Sequence, residues 1–259
     1  KDETIVTDRT NVLIMDWRHH PAKSKEWYTQ RQALFASKGL SHVFASEVDR
    51  DYAAALQGTI IPKAWLEACV DAHLKIEGWE DDPDDRWFGG FDVADGGLAT
   101  NALVKRRAWI VKYADQWGGD DTSINTRRAV DGCKDTLPIL LSYDCVGVGA
   151  GARGEANRLS TDGLMPSGIT MVPWNGGGKV QWPGKHLIPD DEGSPKNKAY
   201  FANLKAQGWW NLRMRAYRTF RYVVHGEASP IDGLISLDSK AIGDTLYKLI
   251  EEIAQPTAQ

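Results

Sequence analysis

The sequence predicts an α/β fold: a mixed sheet, part antiparallel meander and part parallel strands, flanked by helices and preceded by an N-terminal α/β appendage. Three observations predict it. Apolar runs of strand length alternate with helical patterns between residues 87 and 174. The first three runs are joined by short turns, which make antiparallel neighbours, and the fourth is reached through a helical stretch, which lets it return parallel to the first. The chain of 259 residues, 42% hydrophobic and 25% charged, is long enough for one domain plus an appendage and can bury a core.

In chain order, Asn11–Asp16 reads as a strand and Trp17–Pro21 as a turn. Helices are expected over Ser24–Ser37 and Pro62–Lys75. The second has proline in its first turn and apolar positions at Trp65, Leu66, Cys69, Val70 and Leu74. His19 and His20 stand near Asp16, but adjacent side chains in extended chain point apart, which argues against a metal site there. The acid-rich Glu77–Asp85 stretch, with Pro83, reads as an exposed linker, so a domain boundary is expected near Asp82. Strands follow at Trp87–Ala94, Thr100–Arg107 and Ala108–Trp117. Then come a helix at Thr122–Lys134, a strand at Pro138–Asp144, a helix at Ala150–Ser160 and a strand at Ile169–Trp174. That β-β-β-α-β-α-β order is the one found in ribonuclease H-like folds. The longest helical pattern is Lys198–Val224, and Leu234–Asp238 and Ala241–Ala254 close the chain as a strand and a helix.

The chemistry concentrates at two strand ends. The stretch Gly90-Phe91-Asp92-Val93-Ala94-Asp95-Gly96-Gly97 brings an aspartate to the glycine-rich end of a buried strand. An isolated Asp-Gly usually caps a turn, but Pro138–Asp144 ends the same way before Gly147, Gly149 and Gly151. If these strands are parallel neighbours, Asp92 and Asp144 sit side by side despite their separation in sequence. A carboxylate in a buried strand is costly unless it is paired or binds a cation. Hard oxygen ligands suit Mg²⁺ or Mn²⁺, and two such ions ~3.5–4 Å apart activate water and stabilise the leaving oxygen in phosphodiester hydrolysis.

Other signals weigh less. Gly149-Ala150-Gly151-Ala152-Arg153-Gly154 matches a dinucleotide fingerprint, but an antiparallel meander precedes it and Asp144 would repel a pyrophosphate. Asn175–Val180 lacks the spacing and hydroxyl residue of a phosphate loop, and no nucleophile elbow is present. Cys69, Cys133 and Cys145 stand too far apart for a zinc motif and read as reduced thiols of a cytosolic protein. No apolar run reaches membrane-helix length, and no membrane is expected as a partner. The net charge of −4 hides an asymmetry: Gly163–Gly226 has nine Lys/Arg against three Asp/Glu, and the rest has 22 against 32. This segment is the expected polyanion face, with Lys179, Lys185, Lys205 and Arg213 as candidate phosphate contacts.

The chain resembles the large terminase subunits of tailed double-stranded DNA bacteriophages from about Asn11 onward. The resemblance rests on Trp17–Pro21, Glu47-Val48-Asp49-Arg50-Asp51-Tyr52, Gly90–Asp95, Tyr143–Gly149 and Asn203-Leu204-Lys205-Ala206-Gln207-Gly208-Trp209-Trp210. It implies an ATP-driven packaging motor whose C-terminal domain is a ribonuclease H-like endonuclease that cuts concatemeric DNA. On the resemblance, Asp92 matches the first metal-binding aspartate and Asp144 the second acid. Residues before about Asp82 look like the end of the ATPase region and its linker, without Walker motifs. Double-stranded DNA, a small terminase subunit and a portal protein are the implied partners, and the cytoplasm of the infected host the implied location.

Two departures stand out. Ala99 occupies a position where related sequences often carry an aspartate. The third metal-binding aspartate lies in an S-P-x-x-A-D-A pattern that nothing here matches, since Ser229-Pro230-Ile231-Asp232 precedes a strand. The resemblance therefore carries the expectation that the whole polypeptide continues past Gln259 with that aspartate, and that Asp232 or Asp238 is the first substitute among the residues present. The expected function is a metal-dependent DNA endonuclease. The alternatives are a catalytically incomplete DNA-binding or motor-docking module and, on the same fold, a transposase or resolvase, told apart by whether cleavage comes without strand transfer.

Overall fold

The computed structural model describes residues 4–7, 10–13, 16–37, 41, 44, 48, 49, 59–96, 99–188 and 191–256. They divide into two compact units, residues 1–60 with 256–259, and residues 61–255. Glu47, Arg50–Tyr52, Gly97 and Gln259, named above, and Ile14 and Met15 of the first expected strand lie outside the described residues.

In the first unit, β1 (Thr4–Thr7) and β2 (Thr10–Leu13) pair antiparallel with Thr7 opposite Thr10. The expected turn is a 3₁₀ turn over Trp17–His19, and α1 spans Lys25–Ser37. Trp17 stacks on Tyr28 with ring centres 4.7 Å apart, and Phe44 meets Tyr28 and Phe35 edge-on. Asp16 accepts from the Arg18 backbone and guanidinium at 2.7–2.9 Å, so an arginine fork answers its charge beside His19 and His20.

The second unit begins with α2 (Lys63–Cys69), which buries Leu66 and Cys69. The helix expected to run on to Lys75 breaks at Asp71, held at a left-handed φ of 53°, and resumes as α3 (Ala72–Lys75). Tertiary bonds explain the break. Val70 pairs with Leu237, the Asp71 N–H donates to the Leu237 carbonyl, and the Asp71 carboxylate accepts from the Ser239 N–H and hydroxyl. The acidic stretch is not a free linker either, since Asp81 is ion-paired with Arg107 and Lys112. The division between units falls at Ile60–Ile61, ahead of the boundary expected near Asp82, because these bonds tie residues 63–82 to the sheet unit.

The sheet unit continues as β3 (Trp87–Asp92), β4 (Thr100–Arg107), β5 (Ile110–Gly118), α4 (Thr122–Asp131), β6 (Ile139–Asp144), α5 (Gly149–Thr161) and β7 (Ile169–Trp174). Then follow α6 (Asn197–Tyr200), α7 (Leu204–His225), β8 (Ser236–Leu237), α8 (Ser239–Ile242) and α9 (Leu246–Ala254). The six strands lie in the order β7-β6-β3-β4-β5-β8. The meander β3-β4-β5 is antiparallel, β6 pairs parallel with β3, β7 with β6, and β8 with β5. This is the ribonuclease H-like mixed sheet that the element order predicts.

Alternation along the strands separates two faces. Phe91, Leu103, Ile139, Leu141 and Tyr143 join Ala129, Val130 and Ala152 of α4 and α5 in one apolar cluster. Within it Lys105 is almost wholly buried, donating to Asp135 and the Gly132 carbonyl at 2.7 Å each, which answers the charge that burial would otherwise penalise. Residues one step away, Asp92, Val104, Arg106 and Asp144, belong to the opposite face. The long helix pattern is interrupted before Leu204, where Asn203 accepts from the Ala206 N–H and caps α7. The last helix pattern divides at Gly243, φ 65°. Among the described residues no helix is long and apolar enough to cross a membrane.

Candidate metal centre

Asp92 and Asp144 are the last residues of β3 and β6, which run parallel with Phe91 opposite Tyr143. Each aspartate follows one of these buried aromatics, so period-2 alternation turns both carboxylates to the face away from α4 and α5. One strand spacing, about 4.8 Å, separates their backbones. Asp92 is exposed and Asp144 half-buried. Partial desolvation and the Asp144 charge push the Asp92 carboxyl above the usual carboxylate range, while the Lys205 ammonium and the Val93 N–H pull it back. Asp144 uses Oδ1 to accept from the Val146 N–H at 3.0 Å, which sets its orientation.

The glycines that imitate a dinucleotide fingerprint serve this strand end. A Cβ on Gly149 would lie 1.8 Å from the Asp144 carbonyl oxygen, so α5 can start against the β6 end only with glycine there. Gly151 packs on Thr122, whose hydroxyl donates to Asp95 at 3.3 Å, and Gly154 has open space around it. Close packing explains the first two glycines without a nucleotide.

Lys205 emerges with a closer role than the sequence indicates. It is exposed on the first turn of α7, its N–H donates to the Gly176 carbonyl at 2.8 Å, and its charge acts on Asp92. Lys179 and Lys185 are exposed on the loop after β7, with the Lys185 ammonium 5.5 Å from the Trp182 ring centre. Arg213 differs from expectation. Its guanidinium packs 4.7 Å from the Trp65 ring centre, and burial lowers its pKa. It faces the α2–α7 interface rather than the outward basic side, because α2 covers a second stripe of α7.

Neither substitute for a third acid reaches the pair. Asp238 caps α8 and pairs with Lys112, beyond β5 at the far edge of the sheet, and the Asp232 carbonyl accepts from Arg215 midway along α7. Among the described residues no group of three or more His, Cys, Asp and Glu side chains is placed to hold an ion. The sequence gives no sign of one further cluster: His73 Nδ1 lies 2.7 Å from Ser236 Oγ and its Nε2 3.9 Å from Asp238. Ser236 is fully buried, so this arrangement anchors β8 and offers no nucleophile to a substrate. The thiols of Cys69 and Cys133 are raised by burial to about 12 and about 11, which makes them inert.

No protein-family model and no curated protein matches the chain. Solved structures do. The nuclease domain of the large terminase subunit of bacterial virus Sf6 is 29% identical, with a TM-score of 0.66 over 76% of this chain and 81% of that one. A mutant form of it carrying manganese and beta-thujaplicinol matches equally. A mutant form with calcium is 30% identical, with a TM-score of 0.65 over 76% of this chain and 82% of that one.

Proposed function

The chain belongs to the family of large terminase nuclease domains of bacteriophages, and from that premise we propose that it is a divalent-metal-dependent endonuclease that cuts concatemeric viral double-stranded DNA during genome packaging. One observation carries the reading. Asp92 and Asp144 end adjacent parallel strands on the same face, and partial desolvation together with the Asp144 charge raises the pKa of Asp92. Two carboxylates that repel across an open strand end fit a divalent cation, and their hard oxygens suit Mg²⁺ or Mn²⁺. When bound, two such ions would supply an activated water and stabilisation of the leaving oxygen.

The protein's own residues do the rest. Asp92 and Asp144 would hold the ions, Asp144 with its orientation set by the Val146 N–H. Lys205 brings a positive charge to the same strand end, where it can hold a phosphate oxygen. Lys179 and Lys185, exposed on the β7–α6 loop, contact the DNA backbone. Residues before the division at Ile60–Ile61 are read as the end of the ATPase region. A small terminase subunit and a portal protein are the proposed partners, in the host cytoplasm.

A second reading, a DNA-binding or motor-docking module without full chemistry, is favoured by one fact: only two acids meet among the described residues. Plasmid cleavage in Mn²⁺, Mg²⁺ and EDTA separates the two. The endonuclease reading expects metal-dependent nicking that is lost in Asp92→Asn and Asp144→Asn. Binding without nicking in either metal would leave the docking module.

A further inference from the structure

The sheet face that carries Asp92 and Asp144 also bounds a cavity of about 630 Å³ beneath α7, and the proposed cleavage does not use it. Its size is that of a small-molecule site. Most of the lining is apolar, but it includes three indoles, Trp109, Trp174 and Trp182, and two guanidiniums, Arg106 and Arg215. Trp174 is the register partner of Asp144, so one end opens beside the metal centre. Arg106 pairs with Phe88, four residues before Asp92, which sets the arginine end ~13 Å away along the strand.

Both arginines donate to backbone carbonyls, Arg106 to that of Ala108 and Arg215 to those of Asp232 and Leu234, and each guanidinium has N–H groups beyond these. Both guanidiniums lie against the same indole, with 4.4 Å from Arg106 and 3.4 Å from Arg215 to the Trp109 ring centre. Burial lowers both to about 10, still charged at neutral pH. The charges acting on them are mainly other arginines, Arg215 on Arg106 and Arg218 on Arg215, with Asp232 a weaker opposing influence. Like charges crowded into a half-buried wall are relieved by an anion. At the mouth, Trp182 is 62% exposed at a left-handed φ of 45°. Its backbone is nevertheless anchored, since Asn197 donates to the Gln181 and Trp182 carbonyls and the Lys198 N–H to that of Pro183. A rigid loop that holds an indole in solvent presents it to a ligand.

We propose that this cavity binds a nucleoside phosphate, with the base against the tryptophans and the phosphate on Arg106 and Arg215. Stacking on indole is tolerant of base identity, and paired guanidiniums match phosphate geometry. A free nucleotide and an unpaired stretch of a DNA strand offer the same chemistry, and only the strand rests on the endonuclease reading.

The test is made in EDTA, so that it does not depend on cleavage. The protein is titrated with dAMP, deoxyadenosine, inorganic phosphate and a twelve-residue oligo-dA, with tryptophan fluorescence and calorimetry as readouts. We expect dAMP to bind at least tenfold more tightly than deoxyadenosine or phosphate. Arg106→Gln should weaken it about tenfold, and Trp182→Ala, an exposed position that leaves melting unchanged, severalfold. Oligo-dA that binds more tightly than dAMP and is displaced by it identifies the strand as occupant; dAMP binding without oligo-dA binding identifies a free nucleotide. Three results overturn the proposal: no binding of either, phosphate binding as tight as dAMP, or binding indifferent to both substitutions. Nucleotide binding by a protein that never nicks DNA would retain this site and sink the endonuclease.

Discussion

Partial desolvation and the Asp144 charge hold Asp92 above the usual carboxylate range, and this has a thermodynamic sign. A raised pKa means that the folded chain binds the proton more tightly than the unfolded one. Stability from this group is therefore present below the ordinary carboxylate pKa and is lost as pH rises through the raised value, so at pH 7 the full cost stands. Asp92→Asn removes that cost. The metal-free variant should melt at or above the wild-type temperature at pH 7, while Mn²⁺-dependent cleavage falls at least ~100-fold, the equivalent of a few kcal/mol of lost charge stabilisation. A clearly lower melting temperature would mean that Asp92 is favourably paired without metal. Lys205 acts in the opposite direction on the same carboxyl. Lys205→Ala should shift the acidic limb of the cleavage pH profile upward with melting unchanged, and an unmoved limb would remove Lys205 from the site.

At the scale of elements, the start of α5 against the end of β6 is the joint that places Asp144. Gly149 and Gly154 lie on the same helix and report opposite things. Gly149→Ala would put a Cβ on the Asp144 carbonyl oxygen, and the backbone shift should cost ~3 kcal/mol and carry Asp144 with it. Gly154→Ala meets nothing within 4 Å and should stabilise α5 by up to ~1 kcal/mol. Urea unfolding of the two variants checks both signs at once. Equal effects would show that α5 does not press on the β6 end.

For the molecule's encounter with DNA, the division of basic residues matters more than their number. Lys179 and Lys185 are exposed, whereas Arg213 is packed on Trp65. Each lysine replaced by alanine should remove ~0.9 from the slope of log affinity against log salt, on many sequences alike. Arg213→Ala should leave the slope unchanged and instead lower stability by about 1 kcal/mol, through lost packing and cation–π contact. A slope insensitive to both lysines would move the DNA path off this loop.

The strands, the meander and the return of β6 beside β3 were legible because they depend on local signals. Apolar runs, the short turn at Ala108–Trp109 and the helical crossover to Ile139 specify neighbours and direction without knowledge of the rest of the chain. Period-2 alternation then makes Asp92 and Asp144 a pair, since each follows a buried aromatic by one residue. What the sequence did not determine depends on contacts between distant segments. Asp71 breaks a good helical pattern because Leu237 and Ser239, far along the chain, compete for its hydrogen bonds. Arg213 looks outward on a helical wheel drawn against one partner, but α7 has two, the sheet and α2. Lys205 acts on Asp92 only because the loop after β7 folds back through Gly176 to fix the first turn of α7. Asp232 and Asp238 fall away from the site because β8 joins the sheet beside β5, a choice of edge that no local pattern encodes. Local periodicity decides what each segment is and which way its side chains turn; only the packed structure decides which charges meet.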